Sequence, residues 1–351
     1  MGCLFPTPGW FKSSMNRLIL RYKALGLILD SDTPLSGLEI WDEGETRMPA
    51  VTIRQVPFVS SVDPLKLQLV RRILADPRGK CWHLYQGQSG YLLEYDGLVQ
   101  YNISSEGNCI GYALNRDDLE QFFQWALLHL VLLFALHLRS VPVYHAGGVS
   151  LDGKALVFFG HSGQGKSTLS ASFGKAGYPV ITDDVLVLED TEHGFNALPG
   201  FPWIRLCRES IDALFGKSVL ESLPADGDGK LRVSSDSGLV EFAAEPIPLK
   251  GIYVLSNGDE PPDRRLIEIS PIARAEAVGI LLSRDSMLPI LGRDQVSHLL
   301  IFLTRLVAQV PVWRLSIRPG LDQLPQVVEA LVNHELGAGS FSAMSAQGTR
   351  G

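Results

Sequence analysis

The chain has 351 residues, 46% of them hydrophobic and 9% aromatic, which is enough apolar material for one large domain or two ordinary ones. A formal net charge of -7 lacks the basic excess that marks a nucleic-acid binder, so nucleic acid is not expected among its partners. Cys3, Cys81, Cys109 and Cys207 lie too far apart for a zinc site or a disulfide framework, and they predict reduced thiols in a cytoplasm.

From the N-terminus, Pro6 stands where an acylation signal has Ser or Thr, and no early basic cluster leads into an apolar export segment. Phe11 to Leu29 mixes Lys12, Arg17, Arg21 and Lys23 with Leu18, Ile19, Leu20, Leu25 and Ile28. It reads as an amphipathic helix that packs on its own protein rather than on an anionic surface. Val51 to Val59 and Trp82 to Tyr112 carry short β-type runs broken at Gly87, Gly90, Gly97 and Gly107, the pattern of a small β-rich module. Asp117 and Asp118 open a helix running to Leu138. Its apolar stretch, Ala126 to Leu138, contains His129 and His137 and is shorter than the roughly 18 to 20 residues that cross a bilayer, so a buried helix is predicted and no membrane span.

From Val141 onward, short apolar runs alternate with helical patterns, which predicts an α/β domain. The predicted strands are Val141 to Val149, Ala155 to Phe159, Val180 to Thr182, Val185 to Leu188, Gly251 to Leu255 and Val312 to Ile317. The predicted helices are Lys166 to Ala176, Arg208 to Phe215, Ile272 to Leu282, Gln295 to Ala308 and Leu321 to Leu331. Asp226 to Gly238 is polar and Gly-rich and reads as a mobile loop, and the small polar residues after Gly337 read as a disordered tail. The resulting organisation is an N-terminal region with a β-rich module at 1–116, a linking helix at 117–140, an α/β phosphate-loop domain at 141–335 and a tail at 336–351.

The segment that carries chemistry is Gly160-His161-Ser162-Gly163-Gln164-Gly165-Lys166-Ser167, followed by Thr168, which satisfies G-x-x-x-x-G-K-[ST] in full. Its glycines let successive backbone N–H groups converge on phosphate oxygens, Lys166 can reach the β and γ phosphates, and the Ser167 hydroxyl can ligate Mg2+. An accidental match in a chain of this length has a probability on the order of 0.01, so context decides. That context agrees: a buried strand runs into the loop, and Leu169, Phe173 and Ala176 form the apolar stripe of a helix leaving it. The reading is therefore an ATP and Mg2+ site.

Asp183 and Asp184 end the next strand, where one carboxylate can hold Mg2+ and the other can accept the proton of an attacking hydroxyl. His145, ahead of Ala146-Gly147-Gly148 on a preceding strand, is open between a structural and an active-site role.

Together, His145-Ala-Gly, the 160–167 loop, the helix closed by Gly177 and Asp183-Asp184 resemble the catalytic domain of the HPr kinase/phosphorylase family. That family shares its nucleotide-binding core with ATP-dependent phosphoenolpyruvate carboxykinase. The resemblance covers residues 141 to 190 and implies a phosphate-binding Lys166, a magnesium-binding Ser167, an active-site His145 and a proton-accepting Asp184, leaving Asp183 as a magnesium or positioning carboxylate. Lys250 falls where the family carries a catalytic arginine and is expected to supply positive charge to the transferring phosphoryl group. No Glu-Ile-Arg-Gly-type segment is present, which puts a phosphorylase activity in doubt.

Leu198 to Leu206 and Val310 to Leu315 resemble a divergent HPr-kinase-like group, some of whose members are associated with modification of ribosomally made peptides such as lasso peptide precursors. Arg205 is open between substrate binding and a surface ion pair. The implied activity is a cytoplasmic serine kinase acting on a peptide or small protein. A small-molecule kinase, a non-catalytic ATP-binding regulator and a homo-oligomeric state stay open.

Overall fold

The computed structural model describes residues 18–41, 50–58, 67–74, 80–225, 229–256, 267–285, 288, 291–318 and 320–337. Contacts divide the chain into two units, Met1–Val143 with Met287–His298 and Tyr144–Ser286 with Leu299–Gly351. The fold is mixed α/β, and among the described residues no helix is long and apolar enough to cross a membrane.

The first unit is built on an eight-stranded sheet: β1 (Leu20–Ala24), β2 (Leu27–Ser31), β3 (Val51–Gln55), β4 (Gln68–Leu74), β5 (Cys81–Gly87), β6 (Gly90–Tyr95), β7 (Val99–Ser104) and β8 (Cys109–Leu114). Their order across the sheet is β1-β2-β3-β8-β7-β6-β5-β4. The glycines that punctuate 82–112 fall at the ends of strands or in the turns between them, as their sequence pattern predicts.

The predicted helix at Phe11 to Leu29 is a hairpin where it is described, with residues 11–17 outside the described residues. Leu25 and Gly26 both take positive φ, 55° and 72°. This is the two-residue turn that matches strand twist, and it sets Arg21 opposite Asp30 at 2.7 Å. The scattered apolar residues of this stretch mimic a helical stripe, whereas strand pairing uses their alternation.

A helical run follows, α1 (Glu120–Ala126), a π turn at Leu127–Val131 and α2 (Leu132–Leu138). Phe123 stacks on Tyr101 at 5.8 Å and accepts the Tyr101 hydroxyl on its carbonyl at 2.7 Å, so this helix shares an aromatic core with the sheet rather than standing apart as a linker.

In the second unit, the strands are β9 (Val143–Tyr144, whose first residue belongs to the first unit), β10 (Gly147–Leu151), β11 (Lys154–Phe159), β12 (Val180–Thr182), β13 (Leu186–Thr191), β14 (Gly194–Leu198), β15 (Trp203–Leu206), β16 (Leu231–Ser234), β17 (Ile247–Leu255), β18 (Ile267–Pro271) and β19 (Val312–Ile317). The helices are α3 (Lys166–Lys175), α4 (Arg208–Phe215), α5 (Arg274–Ser283), α6 (Arg293–Gln309, whose first turns belong to the first unit) and α7 (Leu324–Glu335). The main sheet mixes directions: β11 pairs parallel to β17, and β17 parallel to β19, while β10 runs antiparallel to both β11 and β12.

Two reversals make β12 run in the same direction as β11. The segments after Phe159 and after Thr182 therefore leave the sheet at one edge, and β10 begins at that same edge, with Gly147 opposite Phe158 and Gly148 opposite Thr182. Leu156 and Phe158 of β11 point into a core with Leu169 and Phe173 of α3 and Val327, Val328 and Leu331 of α7. Ala155, Val157 and Phe159 on the opposite face are also fully buried, which is why this strand reads as a continuous apolar run.

The predicted loop at Asp226 to Gly238 contains a strand. Residues 226–228 lie outside the described ones, but Leu231–Ser234 pairs with β15, and Leu231 and Val233 enter a second core with Ile204, Leu206, Ile211 and Leu214. The predicted tail beyond Gly337 also lies outside the described residues.

Candidate active site

The loop after β11 turns on Gly163 and Gly165, whose φ values of 83° and 87° are left-handed and exclude most side chains. Gly165 is the residue preceding α3, and no side chain caps that helix, so its first N–H groups face the loop. Gln164 folds back to accept the His161 N–H on its side-chain oxygen. Lys166 is buried and its ammonium donates to the carbonyls of Gly160 and His161 at 3.0 and 3.1 Å. Burial lowers its pKa, and the nearby charges of Asp183 and Asp184 oppose that shift. The hydroxyl of Thr168 bonds Ser210 of α4 at 3.0 Å, so what this residue offers a phosphate is its main-chain N–H.

Asp183 and Asp184 follow β12 at the shared sheet edge and are both buried. Their turn is held in place by Thr182, whose hydroxyl donates to the Val185 carbonyl. Gly200 packs so closely against this turn that a Cβ there would lie 2.7 Å from the Thr182 Cβ. Asp184 takes a left-handed φ of 68°, strained for a residue with a side chain, and this separates the directions of the two carboxylates. Asp183 accepts the Arg205 backbone N–H at 3.1 Å and a hydrogen bond from the Ser167 hydroxyl. Asp184 faces the Arg205 guanidinium at 3.4 Å and His145 Nδ1 at 3.7 Å.

Burial, reinforced by the charge of Asp184, raises the Asp183 pKa well above the usual carboxylate range, against the hydrogen bonds from Arg205 and Ser167. The folded protein therefore keeps a proton on Asp183 where the unfolded chain has lost it. Stability from this group is full at acid pH and falls as pH rises from the usual aspartate range toward neutrality. Asp183→Asn is predicted to remove this decline, gaining on the order of 1 to 3 kcal/mol over wild type as pH rises across that interval. Thermal melts of both proteins in a pH series check it; parallel curves would refute it.

His145 is on neither strand. The run predicted from Val141 to Val149 breaks between β9 and β10, and His145 occupies the break with its side chain 44% exposed. Its Nδ1 lies 3.1 Å from the Asp184 carbonyl, an atom that can only accept, so Nδ1 carries the proton and a neutral ring has Nε2 as its acceptor. Desolvation lowers the His145 pKa and Lys166 adds to the effect, while Asp184 opposes it.

Lys250 is not part of this constellation. Leu249 pairs with Ala155 at the start of β11, so Lys250 stands at the opposite end of the sheet, about 17 Å from the loop by strand rise. There it pairs with Glu335 at 3.2 Å and donates to the Glu335 carbonyl at 2.7 Å, beside Tyr253. The expected contact with a transferring phosphoryl group is thereby corrected: this lysine ties β17 to the end of α7.

The structure thus brings together the 160–167 loop, Lys166, Ser167, His145, Asp183 and Asp184, and adds residues that the sequence reading did not place. Arg205 is an internal partner of the acid pair. Lys230 contributes positive charge felt by His145, Lys166 and Asp183. Arg284 stands against His161. Nothing local distinguishes either of the last two from ordinary surface cations. Among the described residues, no cluster of three or more His, Cys, Asp or Glu side chains is arranged to hold a metal by itself. The adjoining Ser167 hydroxyl and Asp183 carboxylate do fit Mg2+, which takes few protein ligands and completes its shell with water and phosphate oxygens.

No family model matches the chain, and no curated protein matches it. Among solved structures it is similar to the Hpr(Ser) kinase/phosphatase from Coxiella burnetii, at 16% identity over 56% of this chain and 97% of that one, with a TM-score of 0.30.

Proposed function

We propose that this chain is an ATP- and Mg2+-dependent kinase of HPr-kinase type that phosphorylates a serine hydroxyl of a peptide or small protein. The observation that carries the reading is the convergence, at one sheet edge, of a left-handed glycine loop with its buried lysine and of two buried carboxylates, one bonded to Ser167 and the other facing His145. A lone glycine loop binds phosphate; a carboxylate pair set beside it adds the means to activate an acceptor.

In this reading, the main-chain N–H groups of residues 160–167 and the ammonium of Lys166 hold the phosphates, and Ser167 with Asp183 holds Mg2+. The metal, when bound, neutralises phosphate charge. Asp184 takes the proton of the acceptor hydroxyl as that oxygen forms its bond to the terminal phosphorus and the bond to the β-phosphate oxygen breaks, leaving ADP. Arg205 keeps the Asp184 carboxylate oriented, and His145 braces it through the Asp184 carbonyl. Phosphoryl transfer through a loose transition state asks for positioning and charge more than for covalent chemistry, which suits a site built of backbone N–H groups, a buried ammonium and carboxylates.

The test incubates the purified chain with labelled ATP, Mg2+ and peptides encoded beside its gene, and locates added phosphate by mass spectrometry. Phosphoserine on one peptide is the expected result, with incorporation lost on chelation of Mg2+. Label appearing only on small metabolites would replace the acceptor class, and ATP binding without transfer to any acceptor would leave a nucleotide-binding regulator.

A further inference from the structure

Beside the acid pair, β15 and β16 form a two-stranded sheet whose faces differ in kind. Ile204, Leu206, Leu231 and Val233 make one face and are buried in the second core. The residues alternating with them stand on the other face: Trp203 and Arg205 on β15, Arg232 and Ser234 on β16. Arg205 and Arg232 are directly opposite in the register, a placement in which like charges cost folding free energy. Arg205 faces Asp184 at 3.4 Å. The Arg232 guanidinium lies over the Trp203 ring, 5.0 Å from its centre, and Trp203 is itself stacked on Phe201 at 4.8 Å. A ring holds a cation in one place without neutralising it. Lys230, the residue before β16, adds positive charge that reaches His145, Lys166 and Asp183.

Where this cationic face lies decides what it can serve. Asp183 accepts the Ser167 hydroxyl on the loop side, whereas Asp184 has Arg205 and His145 beside it, and the acceptor hydroxyl of the proposed reaction approaches Asp184. Arg232 stands one strand spacing, about 5 Å, from Arg205, and successive residues of an extended acceptor are about 3.3 Å apart. A side chain one or two positions from the acceptor serine therefore comes within reach of Arg232. A guanidinium laid flat on a ring keeps its edge donors for a carboxylate, which it can grip bidentately. We propose that Arg232, with Lys230 beside it, selects acceptors that carry an Asp or Glu within two residues of the serine, and that Trp203 positions the guanidinium for that contact. The inference rests on the kinase reading above and narrows its substrate class to an acidic peptide. A chain with a net charge of -7 repels such a peptide over most of its surface, so a local cationic face is where it can be drawn in.

The test incubates the full-length chain, ATP and Mg2+ with a synthetic peptide library in which a central serine is fixed, its flanks are randomised and the C-terminus is amidated. Mass spectrometry of the phosphorylated fraction is expected to show Asp and Glu enriched within two positions of the phosphoserine. For an enriched peptide and its Asn or Gln counterpart, Arg232→Gln is expected to lower the acidic-to-neutral ratio of kcat/KM by roughly tenfold, chiefly through KM, with Arg232→Lys between it and wild type. Arg232→Glu should turn the preference toward Lys and Arg flanks. Should the Gln and Glu variants fail to fold, Arg232→Lys reads the same ratio, and a wild-type value in it overturns the assignment. Rates that fall for all peptides alike, with the ratio unchanged, overturn it too and leave Arg232 as a brace on Trp203. A raised KM for ATP with an unchanged ratio makes Arg232 a nucleotide contact and overturns it as well. Wild-type phosphorylation without acidic preference sinks this inference alone, whereas ATP binding with no phosphoserine in any library member sinks the kinase reading and this inference with it.

Discussion

Asp184→Asn is expected to lower phosphoryl transfer by about 10²- to 10⁴-fold, the range for removal of a positioned general base, while ATP binding stays within a few-fold of wild type. The substitution is chosen for its geometry. Asparagine tolerates the left-handed backbone that Asp184 adopts at φ 68°, so the turn after β12 is kept and only the charge and its proton-accepting capacity are lost. The Arg205 guanidinium at 3.4 Å retains an oxygen to donate to, and the His145 contact to the Asp184 carbonyl is a backbone contact that the side chain does not alter. A thermal melt recorded beside the kinetics separates a folding defect from a chemical one. Single-turnover transfer above about a tenth of wild type in a folded Asp184→Asn protein would remove Asp184 from the role, and a larger loss in Asp183→Asn would exchange the two carboxylates.

How much of this site can be read in the sequence follows from how local its parts are. The loop and α3 form a continuous stretch, and the glycines at 163 and 165 announce the left-handed turns that the structure contains. Asp183 and Asp184 are legible for the same reason, being a few residues beyond α3. His145 is legible only as a residue type: its neighbours suggest a single strand, and the break that turns it toward Asp184 depends on how β9 and β10 pair with different partners.

Lys250 shows the converse. The resemblance places it where the family carries a catalytic arginine, but a match along the chain cannot say which end of a strand faces the loop, and the parallel register of β11 with β17 puts it at the wrong one. Residues 231–234 look like loop because the stretch that holds them, Asp226 to Gly238, is polar and Gly-rich. They become a strand because Leu231 and Val233 are buried against Ile204 and Leu206, a pairing made across α4. Tertiary contact overrides local preference in each of these cases. Arg205 stands between the two extremes: Trp203, Ile204 and Leu206 around it are buried, which marks it as a charge that must find a partner, though not which one.

The second large effect is expected at Lys166. Lys166→Met should reduce transfer by at least about 10²- to 10³-fold, the scale for loss of one preorganised charge at a developing transition state, and should weaken ATP binding as well. Methionine fills a similar volume in a buried site but cannot donate to the carbonyls of Gly160 and His161 at 3.0 and 3.1 Å, so the loop loses its inner tie along with its charge. Lys166→Arg decides what the site requires. If charge alone sufficed, arginine would restore transfer. The ammonium, however, sits in a space only 5% exposed, under two carbonyls and within the field of Asp183 and Asp184, where a branched planar guanidinium has neither the room nor the rotational freedom of a compact –NH₃⁺. The arginine variant is therefore predicted to remain within about tenfold of the methionine variant. Transfer restored to near wild-type rates by Lys166→Arg would mean that the loop reads net charge rather than the position of one small cation, and the part assigned to the buried lysine would have to be given up.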